Sequence, residues 1–461
     1  MNAQPVMPGI NTLQGACTLL QGEMQGDTNN VRFSGVSTDS REIAPGQLFV
    51  ALSGPHFDGH DFVSAVKQQG AVAAVVTHAV DVDIPQIVVG DTQQAYAQLA
   101  GNWRKQFVIP VIAVTGSNGK TTVKEMLAAI LSKQGAVLAT LANFNNEVGV
   151  PRTLLGLRDT HVAAVIEEGA SHPGDIAYLT TFVQPTVAIV TNAAGAHLQG
   201  FGSLDAVAKT KGEIFESAPT NTMAVINADD TFADLWLSQA GERPVSRFSL
   251  SVASDAEVRG ELLAGGILQI FTPDGDVRIV LPLEGRHNAM NALAATAAAL
   301  AAGASIVDVK QGLESMQSVP GRLQRKPGIH GAQIIDDTYN ANPASLSAAL
   351  EVLVKDPGDH YLALGDMAEL GEKAVESHQQ AGRQAREAGV SRLYAVGECS
   401  RHSVTAFGEQ GQHFAAQDEL ISCLQEDLHE NVTLLVKGSR SAHMENVVAA
   451  VTVNGTVEGV N

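Results

Sequence analysis

The stretch Val111-Ile112-Ala113-Val114-Thr115-Gly116-Ser117-Asn118-Gly119-Lys120-Thr121-Thr122 constrains the fold more than any other part of the chain. An apolar run of β type enters a short Gly-rich turn. The apolar residues Val123, Met126, Leu127, Ile130 and Leu131 then follow at the spacing of one helical face. A turn between a strand and a helix N-terminus aims several backbone N–H groups at one point. The helix dipole adds partial positive charge there, so the place suits a phosphate. Gly116 and Gly119 let the backbone approach an anion closely, Lys120 supplies a mobile charge, and the Thr121 hydroxyl is placed to reach a magnesium ion. The general phosphate loop has four residues between its glycines, whereas this turn has two. The flanking strand and helix support a nucleotide-phosphate site, and an ordinary strand-to-helix corner would leave Lys120 without a reason.

At 461 residues the chain has room for about three domains. Its formal net charge of −20 argues against nucleic acid, which would be repelled, so an anionic ligand must be held by local donors against the global field. Cys17, Cys399 and Cys423 are odd in number and lack metal spacing, which fits a reducing compartment and a cytoplasmic location. No Lys or Arg precedes Arg32, so no secretory signal is expected. The most apolar long stretch, 291–309, is mostly alanine with polar interruptions and reads as a buried helix, with no membrane insertion.

The first unit is expected over residues 1–90. Ser37-Thr38-Asp39-Ser40-Arg41 could cap a turn or hold a diphosphate, since Arg matches phosphate oxygens in bidentate fashion. The second unit is expected over 91–319. Asn143-Phe144-Asn145-Asn146-Glu147-Val148-Gly149-Val150-Pro151 reads as a polar loop. The runs Val162–Ile166 and Thr186–Val190 lack alternation, as strands of a parallel sheet covered on both faces do. They end in Glu167 and, shortly after Thr191-Asn192, in His197. Ligands of such sheets bind beyond the carboxyl ends of strands, where the phosphate loop, Glu167 and His197 are expected to meet. Glu167 is a candidate magnesium ligand, while His197 on its own is as readily structural. Lys209 and Lys211 could be a solvated face. A β-rich insertion near 245–283 precedes an Ala-rich helix with Asn288 and Asn291 near its start. The third unit is expected over 320–461, where strands and helices alternate as in a doubly wound α/β domain, without the G-x-G-x-x-G of a dinucleotide site. Its polar clusters, around Arg322, Asp336–Pro343 and Lys437–Arg440, suggest a surface facing a ligand.

Taken together these motifs resemble the Mur ligases. The resemblance is carried by Thr115–Thr122, Asn143–Pro151, Glu167-Glu168-Gly169-Ala170-Ser171-His172-Pro173-Gly174, His197, Lys211–Phe215, Gly285–Ala292, Pro320-Gly321-Arg322 and Asp336–Pro343, nearly end to end. Asn143–Glu147 and Asp336–Pro343 favour the branch that adds D-alanyl-D-alanine. Glu168 and Ser171 depart from an apolar residue and an Asn common in the family, and Asp175 from a Glu. The resemblance implies an α/β protein of three domains: a domain for the UDP-linked substrate, a central P-loop ATPase domain with a parallel sheet, and a Rossmann-like C-terminal domain. It implies an ATP-dependent amide ligase that uses magnesium, joins D-alanyl-D-alanine to a UDP-N-acetylmuramoyl-tripeptide through an acyl phosphate, and works as a monomer. The alternative is another amide ligase of the same architecture, such as a folylpolyglutamate synthetase. By position, the resemblance implies that Thr115, Gly116, Ser117, Asn118, Gly119, Lys120, Thr121 and Thr122 hold the phosphates and that Thr121 and Glu167 bind one magnesium. His197 and a carbamylated Lys211 would bind a second. Asn288 and Asn291 would contact adenine, and Arg322, Asp336 and Tyr339 would contact nucleotide on domain closure. Ser40, Arg41, Asn145 and Asn146 would face the UDP-linked substrate.

Overall fold

The computed structural model describes residues 11–453 apart from 56, 196, 197 and 318. Its centre is a nine-stranded sheet built from 111–280. The spatial order is Gly275–Val280, Ile267–Thr272, Val258–Leu262, Val245–Ser249, Met223–Asn227, Val187–Val190, Val111–Thr115, His161–Glu167 and Ala136–Ala139. All pairings from Val258–Leu262 to Ala136–Ala139 are parallel, and the two pairings that join Val258–Leu262 to Ile267–Thr272 and Ile267–Thr272 to Gly275–Val280 are antiparallel. Val111–Thr115 is the first of these strands in the chain and lies between His161–Glu167 and Val187–Val190. The strand order therefore reverses about it, which opens a crevice at its carboxyl end. Helix Lys120–Leu131 buries Val123, Met126, Leu127, Ile130 and Leu131, the face its periodicity selects.

The insertion near 245–283 carries the sheet sideways by four strands. Leu268, Ile270 and Ile279 pack with Phe248 and with the alanines of helix Arg286–Ala301 in one core. Alanine suits this helix because the sheet comes very close: a Cβ on Gly260 would stand 2.7 Å from Leu293 Cδ2. The apolar stretch 291–309 is not one helix. The first helix stops at Ala301, Gly303 takes φ +91°, and Ile306–Glu314 starts afresh with a Ser305–Asp308 capping box. A second departure from the sequence reading is the short helix Gly149–Leu154, which contains Pro151. Proline is tolerated there because the first-turn N–H groups have no intrahelical acceptor.

Before the central sheet, five short strands form a sheet in the order Glu23–Gln25, Gln86–Val88, Ala73–Val76, Gln47–Val50, Gly35–Ser37, with only the first pairing antiparallel. Helix Thr92–Arg104 joins one face of it to the central domain. Leu13, Leu48 and Ile87 belong to the same buried cluster as Tyr96, Leu99, Trp103, Ile166 and Trp236. After the central domain, six strands run in the order Gln324–Pro327, Gln333–Asp337, Val432–Lys437, Asp359–Gly365, Arg392–Val396, Gly411–Phe414. Only the first pairing is antiparallel. The apolar clusters on its two faces consist of residues beyond 320. The expected class, α/β with largely parallel sheets, is the class found. Among the described residues no helix is long and apolar enough to cross a membrane.

Candidate active site

The phosphate-loop turn is pinned by its neighbours before any ligand is considered. Thr115 Oγ1 donates to the Glu168 carbonyl at 2.8 Å, Ser117 N to the Asn192 carbonyl at 3.0 Å, and Thr191 Oγ1 to the Asn118 carbonyl at 2.6 Å. Two positions in this turn require glycine. Gly116 has φ +147°, and a Cβ there would lie 1.9 Å from Thr191 Oγ1. Gly119 has φ +82°, and its Cβ would lie 2.4 Å from Asn291 Oδ1.

Lys120 folds back so that Nζ donates to the Gly116 carbonyl at 2.7 Å. Part of the side chain stays accessible, but its ammonium group is enclosed, and that burial lowers its pKa against the opposing pull of Glu167. Thr121 Oγ1 donates to Glu167 Oε2 at 3.1 Å, and Asn145 Nδ2 donates to Glu167 Oε1 at 2.9 Å. The expected meeting of loop and strand end is therefore present: a buried carboxylate and a hydroxyl share one spot. Hard oxygen donors of this kind fit Mg2+, which also keeps waters and substrate phosphates as ligands. Among the described residues no group of three His, Cys, Asp or Glu side chains converges.

Lys211 lies on helix Leu204–Ser217, with only 2% of its surface exposed. Burial, and after it the charge of Lys120, bring its amine down to a pKa of about 7. A solvated lysine face is thus ruled out for this residue. His197 lies outside the described residues.

The C-terminal domain faces the loop. Arg322 stacks over the Tyr339 ring at 4.1 Å and points NH2 at Thr121 Oγ1 at 3.5 Å. Its Nε is buried without a hydrogen-bond partner among the described residues. Asn342 Nδ2 donates to Asn118 Oδ1 at 2.7 Å, so the two domains touch at the loop itself. Asp336 is buried and accepts from Lys326 Nζ at 2.7 Å. Lys437 pairs with Asp337 at the adjacent strand ends. Arg322, Lys326, Asp336, Tyr339 and Asn342 wall a cavity of about 950 Å³ together with Ser117–Thr121, Glu167, Glu369 and Arg440. A second cavity, of about 590 Å³, is walled by Gln93, Asn146, Glu147, Ser171, His172, Asp175 and Tyr178. It shares Lys120 and Asn145 with the first.

Asn288 and Asn291 stand one turn apart, both buried, behind Gly119. Asn288 Nδ2 donates to the Glu284 carbonyl at 2.7 Å and Asn291 Nδ2 to Asn288 Oδ1 at 3.2 Å. Arg41 is exposed and forms a fork with Asp39, Nε to Oδ1 at 2.9 Å and NH2 to Oδ2 at 2.7 Å, while the Ser40 carbonyl accepts from Gln69. The neighbouring Glu42 reaches Arg152 at 3.3 Å, which brings this turn beside the 143–152 segment. Asn146 Oδ1 caps Gly149 N at 2.9 Å. Sequence reasoning did not single out Asn342, Lys326, Thr191 and Asn192. Asn342 and Asn192 stand inside stretches it marked as polar strand ends, but Lys326 reads as an ordinary edge-strand residue.

A phosphate loop at a switch point, a carboxylate beside its threonine and a second α/β domain closing over it define a nucleotide-dependent ligase architecture. The chain belongs to the Mur ligase family. The family model for the Mur ligase middle domain matches residues 114–299, that for the glutamate ligase domain 321–440, and that for the family's catalytic domain 32–134. It is accordingly an ATP-dependent, amide-forming ligase. A relative from Escherichia coli K12 named UDP-N-acetylmuramoyl-tripeptide–D-alanyl-D-alanine ligase is 45% identical over 450 residues, 96% of this chain and 99% of the relative. One of the same name from Haemophilus influenzae is 40% identical over 95% of this chain and 97% of its own length. A crystal structure of MurF from Acinetobacter baumannii superposes with a TM-score of 0.89 at 37% identity, covering 95% of this chain and 98% of that one. MurF from Thermotoga maritima in complex with ADP gives 0.79 at 27% identity, covering 90% and 96%.

Proposed function

We propose that this ligase joins D-alanyl-D-alanine to UDP-N-acetylmuramoyl-tripeptide in the cytoplasm, as a monomer and with magnesium, in the making of peptidoglycan precursor. The observation that carries this reading is the meeting of two cavities at Lys120 and Asn145. One has the phosphate loop as its floor, and the other opens beside the loop that the substrate carboxylate must reach.

ATP lies with its phosphates on Thr115–Thr122 at the floor of the larger cavity, Arg322, Asp336 and Tyr339 against it from the C-terminal domain, and its adenine on the side of Asn288 and Asn291, which are buried behind Gly119 and line neither cavity. The UDP-linked substrate approaches along Ser40, Arg41, Asn145 and Asn146. The carboxylate oxygen of the tripeptide attacks the γ-phosphorus and the bond to ADP breaks. The amine nitrogen of the dipeptide then attacks the acyl carbon, the C–O bond to phosphate breaks, and one proton leaves the nitrogen. The first step brings two anions together, and Lys120 offsets their repulsion at the point of contact. Thr121 and Glu167 would hold one Mg2+, and His197 with a carbamate on Lys211 a second; such ions would supply further positive charge at the transferring phosphoryl group. The low pKa of Lys211 supports the carbamate, because only the neutral amine adds to carbon dioxide.

The test is mass detection of the UDP-linked pentapeptide from purified protein, ATP, Mg2+, tripeptide precursor and D-alanyl-D-alanine. Product formed equally with an unrelated amine, or none with the dipeptide, overturns the assignment.

A further inference from the structure

We infer that Arg325 is a positioning residue that latches the C-terminal domain to the central domain and holds the backing of the phosphate loop. The inference rests on the reading that nucleotide binds at that loop. Arg325 stands on the edge strand Gln324–Pro327 with a carboxylate on each side. Its Nε and NH2 donate to Glu284 Oε1 and Oε2 at 2.9 and 2.8 Å. Its NH1 and NH2 donate to Asp356 Oδ2 and Oδ1 at 2.6 and 2.9 Å. Both edges of the planar guanidinium are thus used in bidentate pairs, which fix direction as well as distance.

The two carboxylates belong to different domains. Asp356 follows helix Pro343–Leu353 of the C-terminal domain, and its side chain is only 17% exposed, so it orients the guanidinium. Glu284 belongs to the central domain, just ahead of helix Arg286–Ala301. The Glu284 carbonyl accepts from Asn288, Asn288 accepts from Asn291, and Asn291 Oδ1 abuts Gly119. A continuous line of contacts therefore runs from the domain junction to the turn that would hold the phosphates. Arg322, three residues before Arg325, makes the other approach to that turn, at Thr121.

An exposed ion pair adds little to stability. A doubly bidentate one across a junction instead sets how often the two faces stand in register. If nucleotide needs both faces, its apparent affinity falls with the fraction of molecules in register, whereas saturating nucleotide restores that fraction. The latch should therefore act on nucleotide KM and leave kcat alone.

The test uses the full chain as wild type, Arg325→Ala, Arg325→Lys, Glu284→Ala and the double alanine variant. Titration calorimetry with ADP and Mg2+ should show about three- to tenfold weaker binding in Arg325→Ala, with the same factor in the KM for ATP and unchanged kcat. Lysine cannot make two bidentate pairs, so Arg325→Lys should recover only a minor part. The double variant should be no worse than the poorer single one, because both remove one interaction. Small-angle scattering should show a larger radius of gyration for Arg325→Ala that returns to the wild-type value with ADP and Mg2+. Wild-type ADP affinity and radius in Arg325→Ala, with only a lower Tm, would overturn the latch. None of the binding or scattering readouts needs the dipeptide, so a failed ligase assay with these responses intact would remove the acceptor assignment and leave the latch standing.

Discussion

Glu168 lies one residue past the strand-end carboxylate and points the other way. It is fully buried, accepts from Thr180 Oγ1 at 2.8 Å, and leaves Oε1 without a hydrogen-bond partner among the described residues. Burial raises its pKa to about 8, so it is mostly protonated at neutral pH. A folded-state pKa above the unfolded value means that the folded chain holds the extra proton between about pH 4.5 and 8. Stability from this group is complete below that window and is lost as pH rises through it. Glu168→Gln keeps the shape without the titration. Its unfolding free energy should lose less than that of the wild type between pH 6 and 9, with a difference in that loss on the order of a few kcal/mol, and its Tm should fall correspondingly less. Parallel Tm curves would show that the carboxyl does not titrate there. Lys211 carries the converse expectation. With an amine pKa of about 7, Lys211→Ala should lose most ligase activity, and formate or acetate, which return a carboxylate to the space, should restore part of it. Full activity in Lys211→Ala would remove the carbamate from the mechanism. The sequence showed both residues only as letters in a motif, because burial of a charged side chain depends on what packs over it from distant segments.

At the scale of elements, the turn between Val111–Thr115 and Lys120–Leu131 is shaped by contacts from outside itself. Thr191 Oγ1 is held by the Asn118 carbonyl, so it cannot yield to a methyl group placed 1.9 Å away at position 116. Gly116→Ala should therefore distort the loop and weaken ADP binding, measured by calorimetry, by at least about tenfold, while the helix and sheet behind it keep their circular dichroism. Unchanged affinity would mean that the turn tolerates a second backbone path. The strand and helix on either side were legible because their apolar spacing is local: the face Val123, Met126, Leu127, Ile130, Leu131 is the face the helix buries. The insertion near 245–283 was legible as strands but not as an extension of the central sheet. Pairing between Phe248 and Val258 and the close approach of Leu293 to Gly260 leave no periodic trace. The break at Gly303 was missed for the opposite reason: alanine on both sides of it keeps one composition across two helices.

Across the whole molecule, shared apolar packing does not follow the division into three sheet-bearing units. One buried cluster runs from Leu13 through Tyr96 to Trp236, so the sheet before residue 90 and the central sheet share apolar packing. The C-terminal clusters include no central-domain residue, and the side-chain hydrogen bonds across that junction join Asn342 to Asn118, Arg322 to Thr121 and Arg325 to Glu284, with Val352 packed beside Gly285. The sequence marked three units by their strand and helix order, but order alone does not say which units share a core. Extensive apolar packing couples unfolding strongly, whereas a few polar contacts couple it less. Calorimetric unfolding of the free chain should therefore resolve two transitions, one for 11–319 as a unit and one for the C-terminal domain, and not three. Nucleotide held from both sides adds binding energy that is lost when either side unfolds, about 2.7 kcal/mol at a hundredfold excess over Kd. Saturating ADP with Mg2+ should raise both transitions and draw them together. A single transition without ligand would show that the junction is stronger than its polar contacts allow, and two transitions that stay apart with ADP would place the nucleotide on one domain alone.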